Sequence, residues 1–269
     1  MTSHTTSPLD DRAPGDESMR PLNARSVLLS LLLGNSPPRA PVARLVRTAA
    51  LFGIAGGTVR TALSRMVSIG EVTTDGEGWY ELTSPRLLAR QSRQIASRRA
   101  EVGAWRDGAW VQAIVVAEGR RPASERSRVR DELTRARLAE LREGVWLRPD
   151  NLGGPPEIDG ELQWFRTRPH GDPVELAATL WDLDAWAARA IGLIAMMDRS
   201  IAPLAADDHR WLAEGFVMIA AVLRHFQADP LLPTELRPTD WPGDALRRCY
   251  DEFDTTYRTC LATRFRAGD

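Results

Sequence analysis

The chain of 269 residues contains no lysine, so all 35 of its basic residues are arginines. Cysteine is also scarce, because Cys249 and Cys260 are the only two and lie eleven positions apart. On one predicted helix that separation corresponds to roughly 16 Å of rise, which is too far for a disulfide bond. Two isolated cysteines also lack the ligand spacing of a zinc site. The sequence therefore predicts neither a disulfide nor a bound metal.

Long hydrophobic runs are missing as well. The run at residues 27–33 is short, and the run at residues 191–197 is flanked by Arg189 and Arg199. Neither reaches the length needed to cross a bilayer. Residues 1–20 are rich in Ser, Thr, Asp and Pro and lack the apolar core of a signal peptide, so they predict a disordered leader. We therefore expect a cytoplasmic protein that does not associate with a membrane.

The sequence also lacks the patterns of common catalytic sites. It has no Gly-x-Ser-x-Gly motif and no phosphate-binding glycine loop. The histidines are scattered along the chain, at His4, His170, His209 and His225. Because His225 is near Arg224 and Asp229 in sequence, it could join a charged cluster or take a capping or core role. We expect a protein that is not an enzyme and that needs no cofactor.

The formal net charge of −1 conceals a strong division along the chain. Residues 20–100 contain twelve arginines and four acidic residues, a balance of +8. Residues 1–19 carry −3, and the remainder from Glu101 carries −6. A basic segment beside acidic ones is typical of a module that neutralises nucleic-acid phosphates.

The basic segment contains two helical patterns, which Phe52-Gly53-Ile54 separates. The second pattern covers residues 58–69 and stops at Gly70, a plausible helix end. Apolar residues at steps of three and four predict one buried stripe, as expected for the 3.6-residue period. That stripe consists of Val59, Ala62, Leu63, Met66 and Ile69.

The opposite face of the second pattern is polar, with Arg60, Thr61, Ser64, Arg65 and Ser68. Arginine binds phosphate or the O6/N7 edge of guanine, and hydroxyl groups serve either backbone or bases. This face therefore suits a helix in the DNA major groove. The first helix, at about residues 42–52, adds Arg44 and Arg47 near the same DNA backbone. The alternative is that these arginines only keep the helix soluble.

Two short β-prone runs follow, at residues 71–74 and 78–83, and Asp75-Gly76-Glu77 forms a turn signal between them. Helix, helix and hairpin together predict a winged helix-turn-helix domain. Residues 85–101 predict a basic connecting helix, which either contacts flanking phosphates or only links two domains.

The rest of the chain predicts an α/β segment followed by helices. Strands are expected at residues 111–116, 145–149 and 162–166, and a charged helix at 123–143, which suggests a ferredoxin-like domain. From residue 173 all patterns are helical. One apolar stripe covers residues 176–197, a helix capped by Asp207 or Asp208 follows, and a last helix covers 245–265. The predicted fold is multidomain α+β, with domains at 21–100, 101–172 and 173–269.

Several short motifs occur in an order and spacing that resemble the phenylacetic acid degradation repressor (PaaX) family, along about residues 20–262. They are Ala24-Arg25-Ser26, Phe52-Gly53-Ile54, residues 59–66, 105–110, 144–149 and 180–183, Asp229-Pro230-Leu231-Leu232-Pro233, and Trp241-Pro242-Gly243. One departure lies at residues 137–142, where many relatives have a Gly-Phe-Gly turn.

The resemblance implies a homodimeric bacterial repressor with a winged helix, a ferredoxin-like domain and a helical domain. It implies binding of double-stranded operator DNA and release by an acyl-CoA effector such as phenylacetyl-CoA. It places Thr58, Arg60, Thr61, Ser64 and Arg65 on the recognition helix. The effector site is left unknown, although arginines are available for CoA phosphates at positions 120, 121, 126, 128, 130, 224, 247 and 248.

Alternatives to a repressor remain. A relative of this kind can activate transcription, or serve mainly to recruit a partner protein. The central fold also resembles small metal-dependent nucleases, which carry an aspartate where this chain has residues 116–119, Val-Ala-Glu-Gly, with no second acid at ligand spacing. The motifs at residues 229–233 and 241–243 either fix a corner between helices or contribute to effector binding.

Overall fold

The computed structural model describes residues 23–116 and 122–266. These residues form a mixed α+β protein with two small antiparallel sheets. They divide into two compact units between Leu87 and Leu88, inside a helix. The predicted leader, residues 1–20, lies outside the described residues.

The first unit contains three helices, α1 (Ala24–Leu33), α2 (Val42–Ala50) and α3 (Gly56–Ser68). Asn23 caps α1, since its side-chain oxygen accepts a hydrogen bond of 2.8 Å from the Ser26 N–H. Apolar side chains from all three helices are fully buried and form the core of the unit. They include Val27, Leu28, Leu32, Leu45, Ala49, Val59 and Leu63.

A three-stranded sheet completes the first unit, with β1 (Arg39–Pro41), β2 (Val72–Thr74) and β3 (Trp79–Leu82) in the order β1-β3-β2. The hairpin predicted from its turn signal is thus confirmed as β2 and β3. Strand β1 was not predicted, because it pairs with a strand forty positions later, as Arg39 does opposite Glu81.

The predicted buried stripe of α3 is confirmed for Val59, Leu63 and Met66. It is wrong for Ile69, which is 64% exposed. The reason is that α3 ends at Ser68 and Ile69 is its C-cap, after which Gly70 turns the chain at a φ of +72°. A residue beyond the last helical turn no longer follows the helical period.

The second unit begins with most of α4 (Pro85–Arg99) and continues into a four-stranded antiparallel sheet. Its strands are β4 (Trp110–Val115), β5 (Ala139–Arg142), β6 (Val145–Pro149) and β7 (Leu162–Thr167), in the order β5-β6-β4-β7. Helix α5 (Ala123–Arg135) connects β4 to β5 and buries Val129 and Leu133 against Ala113 and Trp146 of the sheet.

The helix predicted over residues 123–143 is too long by about two turns, since α5 ends at Arg135. Arg137 adopts a left-handed φ of +68°, and the Leu138 N–H donates back to the Leu133 carbonyl at 3.0 Å. This is a C-terminal helix cap of the kind that glycine usually supplies. The chain then enters β5, a strand that the sequence did not predict.

Four helices end the chain: α6 (Pro173–Leu180), α7 (Leu183–Ala205), α8 (Leu212–Gln227) and α9 (Gly243–Arg266). The apolar stripe expected over residues 176–197 belongs to two helices, because Asp182 accepts from the Ala185 N–H at 2.9 Å and starts α7. Asp208 caps a 3-10 turn, His209–Trp211, that leads into α8. Another 3-10 turn, Thr234–Leu236, precedes α9.

Both cysteines lie on α9 and are free, as the sequence predicted. In the part of the chain that the structure describes, none of the helices is long and apolar enough to span a membrane.

Candidate nucleic-acid interface

Helices α2 and α3 are joined by a short turn, residues 51–55, in which Gly53 has a φ of +70°. The first residue of α3 is Gly56, and a Cβ there would lie 3.2 Å from Cγ1 of Val46 on α2. A glycine therefore lets α3 begin close to α2. Buried Leu45 and Ala49 on α2, with Val59 and Leu63 on α3, hold the pair against α1.

Every residue assigned to the outward face of α3 is exposed. These residues are Thr58, Arg60, Thr61, Ser64, Arg65 and Ser68. Among the described residues, the guanidinium groups of Arg60 and Arg65 have no carboxylate partner. Two positive charges on one helix face are thus left for a ligand outside the first unit.

The hydroxyl groups of this face differ in what they contact. The Thr61 hydroxyl donates to the Gly57 carbonyl at 3.0 Å, and the Ser68 hydroxyl donates to the Arg65 carbonyl at 2.8 Å. A hydroxyl has only one hydrogen to donate, so these two are committed to the helix backbone. Ser64 makes no such bond within the described chain, which leaves its hydrogen for a phosphate oxygen.

Helix α2 also presents two arginines, Arg44 and Arg47, and both are exposed. They are three residues apart on one helix and therefore share a face. Arg47 already has an interaction inside the protein, whereas the guanidinium group of Arg44 has none among the described residues. Of this pair, Arg44 is the better candidate for a phosphate contact.

The carboxylate of Asp75 organises the hairpin turn. It accepts hydrogen bonds from the Glu77 N–H at 2.8 Å and the Trp79 N–H at 3.0 Å. The bond from Trp79 is the main reason that the pKa of Asp75 lies below its ordinary value. Arg39 stacks over the Trp79 ring at 4.5 Å and lies 4.0 Å from the same carboxylate.

Sequence reasoning missed this contribution of β1 to the hairpin. The available signal was weak, since Arg39-Ala40-Pro41 is a run of three residues after two prolines. Its position opposite β3 depends on a pairing that no local pattern encodes.

Acidic residues of the first unit are partly neutralised within it. Glu71 forms a two-bond ion pair with Arg25, in which Nε of Arg25 lies 2.9 Å from Oε2. That hydrogen bond raises the pKa of Arg25. Helices α2 and α3 themselves carry four arginines and no acidic residue, so the charge that they present to solvent is positive.

Helix α4 contributes fewer free charges than its sequence suggests. Nη2 of Arg98 lies 3.3 Å from Oδ1 of Asp251 and 3.4 Å from Oδ2 of Asp254, and its guanidinium lies over the Tyr250 ring. Arg99 lies 3.9 Å from Glu101. The charge of Arg98 near the end of this basic helix is therefore paired within the second unit.

The described arginines among those considered for CoA phosphates are divided among three helices, α5, α8 and α9. Arg120 and Arg121 lie outside the described residues. Arg128 bonds Glu132 at 3.0 Å, Arg130 bonds Glu140 at 2.7 Å, and Arg247 bonds Asp229 at 2.7 Å. Arg128 and Arg130 lie on α5 and Arg247 lies on α9, and each is bonded to an acidic residue, so their positions assign no effector site.

The motif at residues 229–233 has a structural role. Asp229 is almost fully buried, receives the Arg247 ion pair, and accepts from the Leu231 N–H at 2.9 Å. The Leu231 carbonyl accepts from the Asn151 amide at 2.8 Å, which ties the turn to the segment after β6. Leu232 lies in the core beside Trp110.

The second motif, Trp241-Pro242-Gly243, forms part of an aromatic stack. Trp241 stacks on Trp186 at 4.3 Å between ring centroids, and Trp186 stacks on His225 at the same distance. Nε2 of His225 lies 3.1 Å from the Trp186 carbonyl. Burial is the main cause that lowers the pKa of His225 to about 4. His225 is thus a neutral core residue, in agreement with one of the two roles considered for it.

In the described chain, no group of three or more His, Cys, Asp or Glu side chains is arranged to hold a metal ion. Most of the strand end compared with nuclease sites, residues 117–119, lies outside the described residues.

Comparisons with known proteins agree on one family. The profile described as PaaX-like protein matches residues 23–85, and the profile described as PaaX-like protein C-terminal domain matches residues 181–267. A solved structure of an uncharacterized protein of Mycobacterium tuberculosis, Rv0674, is 39% identical with a TM-score of 0.72, covering 90% of this chain and 98% of that one. A search of curated proteins gave no match. With profile matches at both ends and a relative aligned over nearly its full length, the chain belongs to the PaaX-like family.

Proposed function

We propose that the protein is a DNA-binding transcriptional repressor, and that its first unit is a winged helix-turn-helix domain. The observation that carries this proposal is the polar face of α3, where Arg60 and Arg65 are exposed and unpaired. Buried Val59, Leu63 and Met66 hold the opposite side of the helix. In this arrangement α3 enters the major groove and the β2-β3 hairpin is the wing.

The contacts divide into two kinds. Arg60 and Arg65 are the candidates for base edges, because guanidinium binds the O6/N7 edge of guanine with two hydrogen bonds. Arg44, Arg47 and Ser64 are the candidates for phosphates, which fix the position of α3 in the groove without reading sequence. Thr58, Thr61 and Ser68 remain members of the face, with weaker roles for the two hydroxyls already bonded to backbone.

The second unit is proposed to contain a ferredoxin-like domain and a helical domain. Its sheet order β5-β6-β4-β7 supports this, since the first and third strands of the unit are central and all pairs are antiparallel. Residues 150–161 contain no helix, although a full ferredoxin-like pattern has one between its third and fourth strands. The proposed limits of the three domains are 21–100, 101–172 and 173–269.

Membership in the PaaX-like family supports the rest of the mechanism. A homodimer places two α3 helices in successive major grooves of a palindromic operator, about 34–36 Å apart. An acyl-CoA thioester such as phenylacetyl-CoA then favours the form that does not bind DNA. To move the operator from mostly occupied to mostly free, the effector must prefer that form by roughly 10⁴-fold. A regulator of this kind works in the cytoplasm.

The test is fluorescence anisotropy of the purified full chain on a labelled fragment of its own upstream intergenic DNA, with unrelated DNA as competitor. We expect specific binding that phenylacetyl-CoA releases. If phenylacetyl-CoA does not change specific binding, the proposal of a repressor stands and other acyl-CoAs should be tested as the effector. Equal affinity for the competitor contradicts sequence-specific recognition at that fragment.

A further inference from the structure

Helix α7 (Leu183–Ala205) has one buried side and one bare side. The buried side includes Trp186, Ala190, Leu193 and Met197, and it packs against α8 and α9. The bare side is a row of exposed residues at steps of three and four, which places them on one helix face. The row consists of Asp184, Ala188, Ile191, Gly192, Ala195, Arg199 and Ala202.

The middle of this face is apolar and unevenly shaped. Ile191 is 58% exposed, which is the largest exposure of any large hydrophobic side chain in the described part of the second unit. The next residue is Gly192, and a Cβ built there has no atom within 4 Å. A projecting isoleucine therefore sits directly beside an open notch. Ala188 and Ala195 flank the two residues along the helix, and the exposed side chains of Arg189 and Met196 border the notch on one side.

The two ends of the face carry opposite charges. Asp184 lies in the first turn of α7 and Arg199 lies four turns later. Both side chains are exposed, and neither has an ion-pair partner among the described residues. A surface with an acid at one end, a base at the other and apolar residues between them is complementary to itself when it is turned end for end.

We propose that α7 of a second copy of this chain covers the face in antiparallel orientation around a two-fold axis. This proposal rests on the homodimer of the proposed function and names its interface. A two-fold axis that crosses between Ile191 and Gly192 places each Ile191 in the Gly192 notch of the other copy. The same axis sets Ala188 against Ala195 and Asp184 against Arg199, so one register satisfies shape and charge together.

Other arrangements satisfy fewer of these features. A parallel pair sets Asp184 against Asp184 and Ile191 against Ile191, which repels at one end and clashes in the middle. The antiparallel pair joins unlike charges at both ends, and alanine and glycine let the helix axes approach to about 8 Å. A second copy of α7 carries the same acid and base at matching positions when it is turned end for end, whereas a partner of different sequence need not carry them.

Charge reversal tests the pairing by sedimentation velocity of the full chain. We expect Asp184→Arg and Arg199→Asp each to weaken self-association about tenfold, because each creates two like-charge contacts across the axis. The double variant restores unlike pairs and should recover the wild-type dimer. Far-UV circular dichroism checks that all variants fold. A monomeric wild type, a dimer that ignores both single changes, or a double variant that stays dissociated overturns the interface.

Disulfide trapping tests the register. In the double variant Ala188→Cys with Ala195→Cys, the two thiols of one chain are about 10.5 Å apart by helical rise, which prevents a bond within the chain. We expect oxidation to give a covalent dimer on a non-reducing gel. Ala188→Cys alone is the matched control and should stay monomeric on that gel, as should the wild type with Cys249 and Cys260. Equal trapping of the single variant overturns the register.

Failure of the α7 interface can be distinguished from failure of the proposed function. A wild-type dimer that is insensitive to Asp184→Arg overturns this interface and leaves operator recognition by α3 intact. A protein that dimerises through α7 and yet has no preference for its operator overturns the repressor and leaves the interface intact.

Discussion

The arginines of α3 and the arginines of the second unit differ in what they contact. Arg60 and Arg65 are exposed and unpaired, whereas Arg247 has a nearly buried side chain that bonds Asp229 at 2.7 Å and the Gly243 carbonyl at 3.1 Å. Arg98 likewise binds Asp251 and Asp254. The same residue type is therefore exposed and unpaired on α3 and part of the internal architecture of the second unit. Composition alone cannot distinguish these uses, since every one of the 35 basic residues is an arginine.

The largest effect is expected when an internal arginine is removed. Arg247→Ala leaves the carboxylate of Asp229 buried with its ion-pair partner gone, so the second unit should lose about 3–5 kcal/mol of its free energy of unfolding. Tryptophan fluorescence during urea unfolding measures this, because eight of the nine tryptophans lie after Leu88. The matched control is Arg248→Ala, an exposed neighbour whose loss should change the free energy by less than about 0.5 kcal/mol. Equal effects of the two changes would contradict the structural role of Arg247.

Removal of an exposed arginine of α3 should weaken operator binding and leave stability unchanged. Arg60→Ala and Arg65→Ala should each weaken operator binding by ~1–3 kcal/mol if the arginine reads a guanine, with the unfolding free energy of the first unit unchanged. Anisotropy titration of the operator fragment measures the first quantity and circular dichroism during thermal unfolding the second. Arg248→Ala removes the same charge from the second unit and should leave operator affinity unchanged.

Lysine substitution sharpens the result for Arg60. Arg60→Lys keeps the charge but loses the two-bond geometry. A lysine variant with full affinity would assign Arg60 to a phosphate, and one as weak as the alanine variant would assign it to a base. Wild-type operator affinity in both alanine variants would contradict the proposed placement of α3 in the major groove.

The sequence predicted the parts of the site that depend on local period. The burial of Val59 and Leu63 and the exposure of the polar face follow from helical spacing alone. The failures occur where the backbone leaves a regular path or pairs over a distance. Ile69 is exposed because the helix has ended, and β5 begins because Arg137 adopts a left-handed conformation.

Contacts between residues far apart in the sequence could not be predicted from local patterns. The stacking of Arg39 on Trp79 and the ion pair of Arg247 with Asp229 join residues that no short motif relates. The motif at residues 229–233 was visible in the sequence, but its role was not. That role depends on Asn151, which lies 80 positions from Leu231.

The two units should differ in how acid affects their stability, because His225 lies in the second unit. Its pKa of about 4 in the folded protein lies below the ordinary 6.5, so the folded state stays neutral where the unfolded chain becomes protonated. The stabilisation is complete above pH 6.5 and is lost as the pH falls, by about 2 kcal/mol between pH 7 and pH 5. Urea unfolding followed by tryptophan fluorescence at the two pH values measures this loss.

Two controls define that pH effect. His225→Gln keeps a donor for the Trp186 carbonyl and removes the titration, so its stability should change much less with pH. His170→Gln, at an exposed position, should behave as the wild type. The described part of the first unit contains no histidine, and its unfolding should not share this pH dependence. An equal pH effect in the His225→Gln variant would contradict the assignment.

The smallest effect compares two hydroxyls on α3 itself. Ser64 has its hydroxyl hydrogen available, so Ser64→Ala should weaken operator binding by about 0.5–1 kcal/mol through loss of a phosphate hydrogen bond. Thr61→Val keeps the shape of the side chain and removes a hydroxyl that already donates to the Gly57 carbonyl at 3.0 Å. It should therefore change operator affinity less, as measured by the same anisotropy titration. A Thr61→Val loss equal to that of Ser64→Ala would mean that the helix releases the Thr61 hydroxyl to DNA, and the division of contacts on this face would need to be redrawn.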